Sequence, residues 1–189
     1  MMDYFTDIPE DIPSDVAVQD GGAASFLGSF VQIRKYLRYL VDLGYDITTV
    51  QIYRCKKGFK YGNSEKEIAT TCLMLPIFAG HRRRHVLCYA VGGSCPILIG
   101  RPLLEKLGLT VDYSKRKYKW KGQQWQNVQL GPKNEYLVRL AENCDELIYD
   151  IPEALIPEVL DSFWFLFESG SNWKRSGPLK TCSFCIFCL

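Results

Sequence analysis

The chain has 189 residues, 47% of them apolar and 23% charged, with a net charge of +2, which is ordinary for a soluble globular domain with a sizeable core. That near-neutral balance implies no obligate polyanion partner, and no apolar run approaches the roughly 20 residues of a membrane-crossing helix, so no membrane span is expected. The acidic start lacks the basic stretch of a secretory signal, and the eight cysteines form no short disulfide framework, so reduced thiols in an intracellular compartment are expected.

Residues 1–14 read as an acidic, flexible lead punctuated by Pro9 and Pro13. Val16 to Gln19 predict a short strand that delivers Asp20 to a turn of small residues, Gly21-Gly22-Ala23-Ala24-Ser25. Ile33, Tyr36, Leu37, Leu40 and Val41 repeat at i, i+3, i+4, i+7 and i+8, the apolar stripe of a helix over about 31–43. Arg34, Lys35 and Arg38 fall off that stripe, and Gly44 supplies the stop. Thr48 to Tyr53 alternates like a strand. Phe59 to Ser64 carries turn chemistry at Gly62-Asn63.

Ile68 to Phe78 and Val86 to Val91 predict two apolar strands joined by a charged tip, Gly80 to His85. Ile97 to Ile99 is a short buried strand, and Pro102 near a first turn opens a short helix over about 102–107. Leu109 to Tyr113, Tyr118 to Trp120 and Trp125 to Leu130 complete a strand-rich set. Many short strands, glycine turns and two helices predict a mainly β, closed or sandwich-like domain over 15–140. Residues 141–189 form an extension of uncertain order, with the aromatic run Phe163-Trp164-Phe165-Leu166-Phe167 and a terminal Cys182, Cys185, Cys188 spacing.

Two segments belong together: Asp20-Gly21-Gly22-Ala23, and, some eighty residues on, Ile97-Leu98-Ile99-Gly100-Arg101 followed by Pro102-Leu103-Leu104. The pair resembles the retropepsin-like aspartic proteases of retroviruses and retrotransposons, in which Asp-Thr/Ser-Gly-Ala bears the catalytic carboxylate and Ile/Leu-Leu/Ile-Gly-Arg/Lys packs behind it. The resemblance covers about residues 15–120 and implies a closed β domain in which the helix at 31–43 is an insertion. It assigns catalysis to Asp20, the active-site loop to Gly21, Gly22 and Ala23, a substrate-covering flap to Tyr61, Gly62 and Asn63, and structural support to Ile99, Gly100 and Arg101. It further implies a polypeptide substrate, a homodimer, no cofactor and no metal, in the cytoplasm or in the particles of a retroelement whose polyprotein contains the domain.

The chemistry explains why a dimer is implied. Aspartic proteolysis needs two carboxylates close enough that one keeps a proton while the other activates water, and this chain has one such Asp-Gly loop. Gly21 stands where the family carries Thr or Ser, whose hydroxyl bonds across the paired loops. That departure defines the alternative, a binding or assembly module with the fold and without the activity.

Two further signals compete weakly. His81, His85 and Cys88 have ligand-like spacing, but three arginines among them repel a dication. Cys182, Cys185 and Cys188 lack an obvious fourth ligand, and their interleaved Phe184, Ile186 and Phe187 read as an apolar end or a palmitoylation target. The basic clusters at 34–38, 56–60, 82–84 and 115–117 read as solvated turns, with no specific nucleic-acid partner.

Overall fold

The computed structural model describes residues 12–61, 66–79 and 82–141. The elements run β1 (Val16–Asp20), β2 (Leu27–Ser29), α1 (Phe30–Asp42), a 3₁₀ turn (Ile47–Thr49), β3 (Ile52–Lys60), β4 (Lys66–Ala79), β5 (Arg82–Val91), β6 (Leu98–Gly100), α2 (Arg101–Leu107), β7 (Leu109–Asp112), β8 (Lys117–Trp120), β9 (Gln126–Asn127), β10 (Gln129–Leu130) and β11 (Tyr136–Arg139). The protein is therefore mainly β with two helices.

An eight-stranded sheet has the order β10-β11-β1-β6-β2-β5-β4-β3, and β7-β8-β9 form a smaller one. The larger sheet bends back on itself. β3 pairs with β4 only as far as Leu73, opposite Ile52, which leaves the far end of β4 open to another partner. There Phe78 donates its N–H to the carbonyl of Leu140 at 2.6 Å, while Leu140 donates to the carbonyl of Asp15 at 2.7 Å. A hydrogen-bonded path thus runs from β11 through β1, β6, β2, β5 and β4 and returns to the chain just after β11.

Helix α1 forms because its apolar side chains recur on one face. Ile33, Tyr36, Leu37, Leu40 and Val41 are all buried, each contributing about 1.5–3 kcal/mol by leaving water. Ser29 caps its start by accepting from the Gln32 N–H at 3.3 Å, and Gly44, at φ 87°, turns the chain away at its end. The Tyr36 hydroxyl donates to the carbonyls of Pro76 at 2.8 Å and Leu140 at 3.2 Å, pinning the helix to the point where the sheet closes. In α2, Pro102 sits in the first turn and Gly108, at φ 83°, ends it.

Alternate residues of β1 divide two cores. Ala17 faces the large cluster with Ile33, Leu37, Leu73, Leu75, Ile99 and Trp120. Val16 and Val18 face a second one with Leu27, Cys72, Tyr89, Val91, Cys95, Leu98 and Leu137. Ile12 also packs into that second cluster, so the packed body extends back to it.

Several expected boundaries move. The strand expected from Thr48 begins only at Ile52, because Asp46 draws Thr48 and Thr49 into a turn: its carboxylate accepts from the Thr48 N–H at 2.9 Å and its carbonyl from the Thr49 hydroxyl at 2.8 Å. The segment from Trp125 splits into β9, paired with β8, and β10, paired with β11. Strand β5 starts at Arg82, so the expected tip is shorter, and its Gly80 and His81 lie outside the described residues.

Candidate active site

Asp20 is the last residue of β1, which runs parallel to β6 with Val18 opposite Leu98, Gln19 opposite Ile99 and Asp20 opposite Gly100. The next strand, β2, lies on the other side of β6, with Leu27 opposite Leu98. Residues 21–26 must therefore cross the end of β6 to connect the two. Gly100 is where they cross. A Cβ built there would stand 1.8 Å from the carbonyl oxygen of Ala23, so no other residue fits this crossing. Ile99, fully buried beneath it, anchors β6 in the large core.

The loop holds the carboxylate by its own backbone. Gly22 donates its N–H to Asp20 Oδ1 at 2.8 Å, and Ala23 donates to the Asp20 carbonyl at 3.2 Å, the bonding of a tight Asx-type turn. The Asp20 side chain is half-buried, whereas Gly21, Gly22 and Ala24 are exposed. A Cβ at Gly21 would meet nothing within 4 Å, and Gly21 is not among the residues with positive φ. The loop thus presents one oriented carboxylate and a surface of small residues to the outside.

Strands β3 and β4 form a hairpin in register to its end, Phe59 opposite Glu67 and Lys60 opposite Lys66. Of the flap residues expected there, Tyr61 is described and half-buried, and Gly62 and Asn63 lie outside the described residues. The Tyr61 hydroxyl donates to Glu67 Oε2 at 3.0 Å, and the other oxygen of Glu67 accepts from the Gly92 N–H. Glu67 thereby ties the hairpin to the loop that leads from β5 into β6. Sequence reasoning missed it. Its only local signal was alternation with Ala69 on the inward face of β4.

The Cys95 thiol lies buried in the same region, its pKa pushed up to about 12 by burial and then by the negative charges of Glu67 and Asp20. It stays protonated at neutral pH and is no nucleophile.

Arg101 does not join the site. Its guanidinium is exposed and pairs with Glu105 one helical turn on, at 2.7 Å, so only its backbone follows Gly100 into α2. The histidine and cysteine signal also comes apart. His85 is exposed, with its pKa lowered by partial burial and by Arg83, while Cys88 is buried in the large core. Three positions apart on a strand, they point to opposite faces. No group of three metal-ligating side chains occurs among the described residues. Cys182, Cys185 and Cys188 lie outside those residues.

No protein-family model, curated protein or solved structure matches the chain. Among the described residues no helix is long and apolar enough to cross a membrane. Chemically, the Asp20 carboxylate, held by the Gly22 N–H, lies beside an open surface of small residues that leaves room for another chain to approach it.

Proposed function

We propose that this protein is a retropepsin-like aspartic endopeptidase of a retroelement-type polyprotein, acting as a homodimer. The observation that carries this reading is the crossing of the Asp20 loop over Gly100, with Asp20 itself paired against β6. It joins the two sequence motifs into a single structural unit. The exposed Gly21 and Gly22 let a second loop approach closely, bringing two Asp20 carboxylates together about a two-fold axis.

Like charges at such a distance cannot both ionise, so the pair holds one proton. The ionised Asp20 takes a proton from water, and the protonated one donates a hydrogen bond to the scissile carbonyl as the water attacks. When the tetrahedral intermediate collapses, the leaving nitrogen takes a proton from the dyad. On this reading the β3–β4 hairpin serves as the substrate cover, excluding water and holding an extended peptide. No metal or organic cofactor takes part in this scheme.

A second reading is supported by Gly21. It offers no hydroxyl to bond across the paired loops, and each such lost bond costs on the order of 1 kcal/mol. On that reading the protein keeps the dimer and binds polypeptide without cleaving it. Peptide-library cleavage at mildly acidic pH, followed by mass spectrometry, separates the two. Cleavage that Asp20→Asn abolishes establishes the protease. Its absence from a folded, dimeric protein favours the binding module, and cleavage retained by Asp20→Asn removes Asp20 from the mechanism.

A further inference from the structure

The near-neutral net charge conceals a segregation. Residues 12–141 hold twenty Lys and Arg against nine Asp and Glu, an excess of eleven positive charges. Residues 1–11 hold four acidic residues and no basic one, and residues 142–189 hold eight acidic against three basic. The segment 12–141 is therefore strongly cationic, and the balance of the whole chain says little about what its surface attracts.

Part of that excess lies on the β3–β4 hairpin. Along β3, Cys55, Lys57, Phe59 and Tyr61 are partly buried, and Lys56, Gly58 and Lys60 are exposed. Along β4, Glu67 and Ala69 turn inward, and Lys66, Ile68 and Thr70 are exposed. Even Lys57 is drawn to the inner side, its ammonium 4.6 Å from the centre of the Tyr89 ring. The outer face thus carries Lys56, Lys60 and Lys66 around an Ile68 that is 56% exposed. Among the described residues it has no acidic residue, and none of the three lysines forms an ion pair with another described residue.

Lys60 and Lys66 stand directly opposite each other across the hairpin, an arrangement that costs stability through like-charge repulsion. Lysines on an edge strand do guard against strand addition, and β3 is an edge. That role is met by β3 alone and gives no reason for a third lysine on its inner neighbour, set opposite Lys60.

We propose that this outer face of the β3–β4 hairpin binds the phosphate backbone of single-stranded nucleic acid. Ammonium groups engage phosphates as mobile point charges, a two-stranded ribbon gives a flexible strand an extended surface to follow, and the exposed Tyr53 on the same strand offers a ring for base stacking. The surface is distinct from the Asp20 loop, and its use does not depend on whether that loop hydrolyses peptides.

The test is fluorescence anisotropy of a labelled oligouridylate with the full chain across about 50–200 mM salt, where log affinity falls linearly with log salt at about 0.7 per phosphate neutralised on a single strand. Replacing Lys56, Lys60 and Lys66 together by Gln is expected to lower that slope by about 2 and to weaken binding at least tenfold, while the triple Arg variant keeps both. All three positions are exposed, and a thermal midpoint no lower than the parent's confirms that the variants fold. Absence of salt-dependent binding, or a slope that the Gln variant leaves unchanged, overturns the proposal. So does binding that emerges only after Asp3, Asp7, Glu10 and Asp11 are made Asn and Gln, because the chain's own acidic segment would then be the occupant.

Discussion

Gly100 and Ala23 are in backbone contact: the space a Cβ on Gly100 would need is taken by the Ala23 carbonyl oxygen, 1.8 Å away. The contact arises because β6 is inserted between β1 and β2, which are joined by a loop of only six residues. Backbone, unlike a flexible side chain, cannot swing aside. Gly100→Ala is therefore expected to cost 3 kcal/mol or more, the upper end of overpacking effects, and to displace the Asp20 loop. Urea unfolding measures this. A midpoint equal to that of the unsubstituted protein would mean that the loop does not cross there.

Gly21 is the opposite case, with nothing within 4 Å of its added Cβ and no positive φ. Gly21→Ser and Gly21→Thr should fold as well as the parent, within about 0.5 kcal/mol, or gain slightly from a stiffer unfolded chain. If the paired loops of an active dimer merely lack the family's hydroxyl, the same variants should raise kcat. Unchanged stability with no gain in cleavage would favour the binding module.

What the sequence disclosed and what it hid divide along the range of the interactions. Helix α1 was legible because Ile33, Tyr36, Leu37, Leu40 and Val41 recur at the helical period within one segment. The mainly β class was legible from alternation, and Gly100 was marked by the retropepsin resemblance, which implies that its strand passes tightly behind the Asp20 loop. Strand β11 was missed. Tyr136 to Arg139 is short, and becomes a strand only by pairing with Val16 to Val18, more than a hundred residues earlier. Tyr36, expected merely to fill the core, proves through its hydroxyl to hold the closing segment. Glu67 was invisible for the same reason: its partners Tyr61 and Gly92 meet it only in the folded hairpin and loop.

Those two partners make Glu67 testable. Glu67→Ala removes an acceptor from the Tyr61 hydroxyl and from the Gly92 N–H, and both donors lie close enough to water to be rehydrated. The cost should be local and about 1 kcal/mol per bond. Hydrogen exchange at the Gly92 amide is expected to accelerate about tenfold with little change in the global midpoint. Tyr61→Phe should leave that amide protected, because it removes the other bond. Equal acceleration in both variants would show that the hairpin and the loop are not held through separate carboxylate oxygens.

The buried thiol sets a limit at alkaline pH. Cys95 titrates at about 12 in the fold against an ordinary 9.0, burial being the main cause, and full burial pushes Cys88 up as well. Below pH 9 both folded and unfolded thiols are protonated, so neither affects stability. Between about 9 and 12 the unfolded chain releases these protons while the folded one retains them, and stability falls as pH rises, by up to about 1.4 kcal/mol per pH unit for each thiol. Denaturation midpoints should therefore be flat near neutrality and decline above pH 9. Cys95→Ala is expected to flatten that decline, and in the unsubstituted protein iodoacetamide at pH 8 should modify the half-buried Cys55 well before Cys95. Rapid alkylation of Cys95 in the folded protein would show that its thiol is reached by solvent.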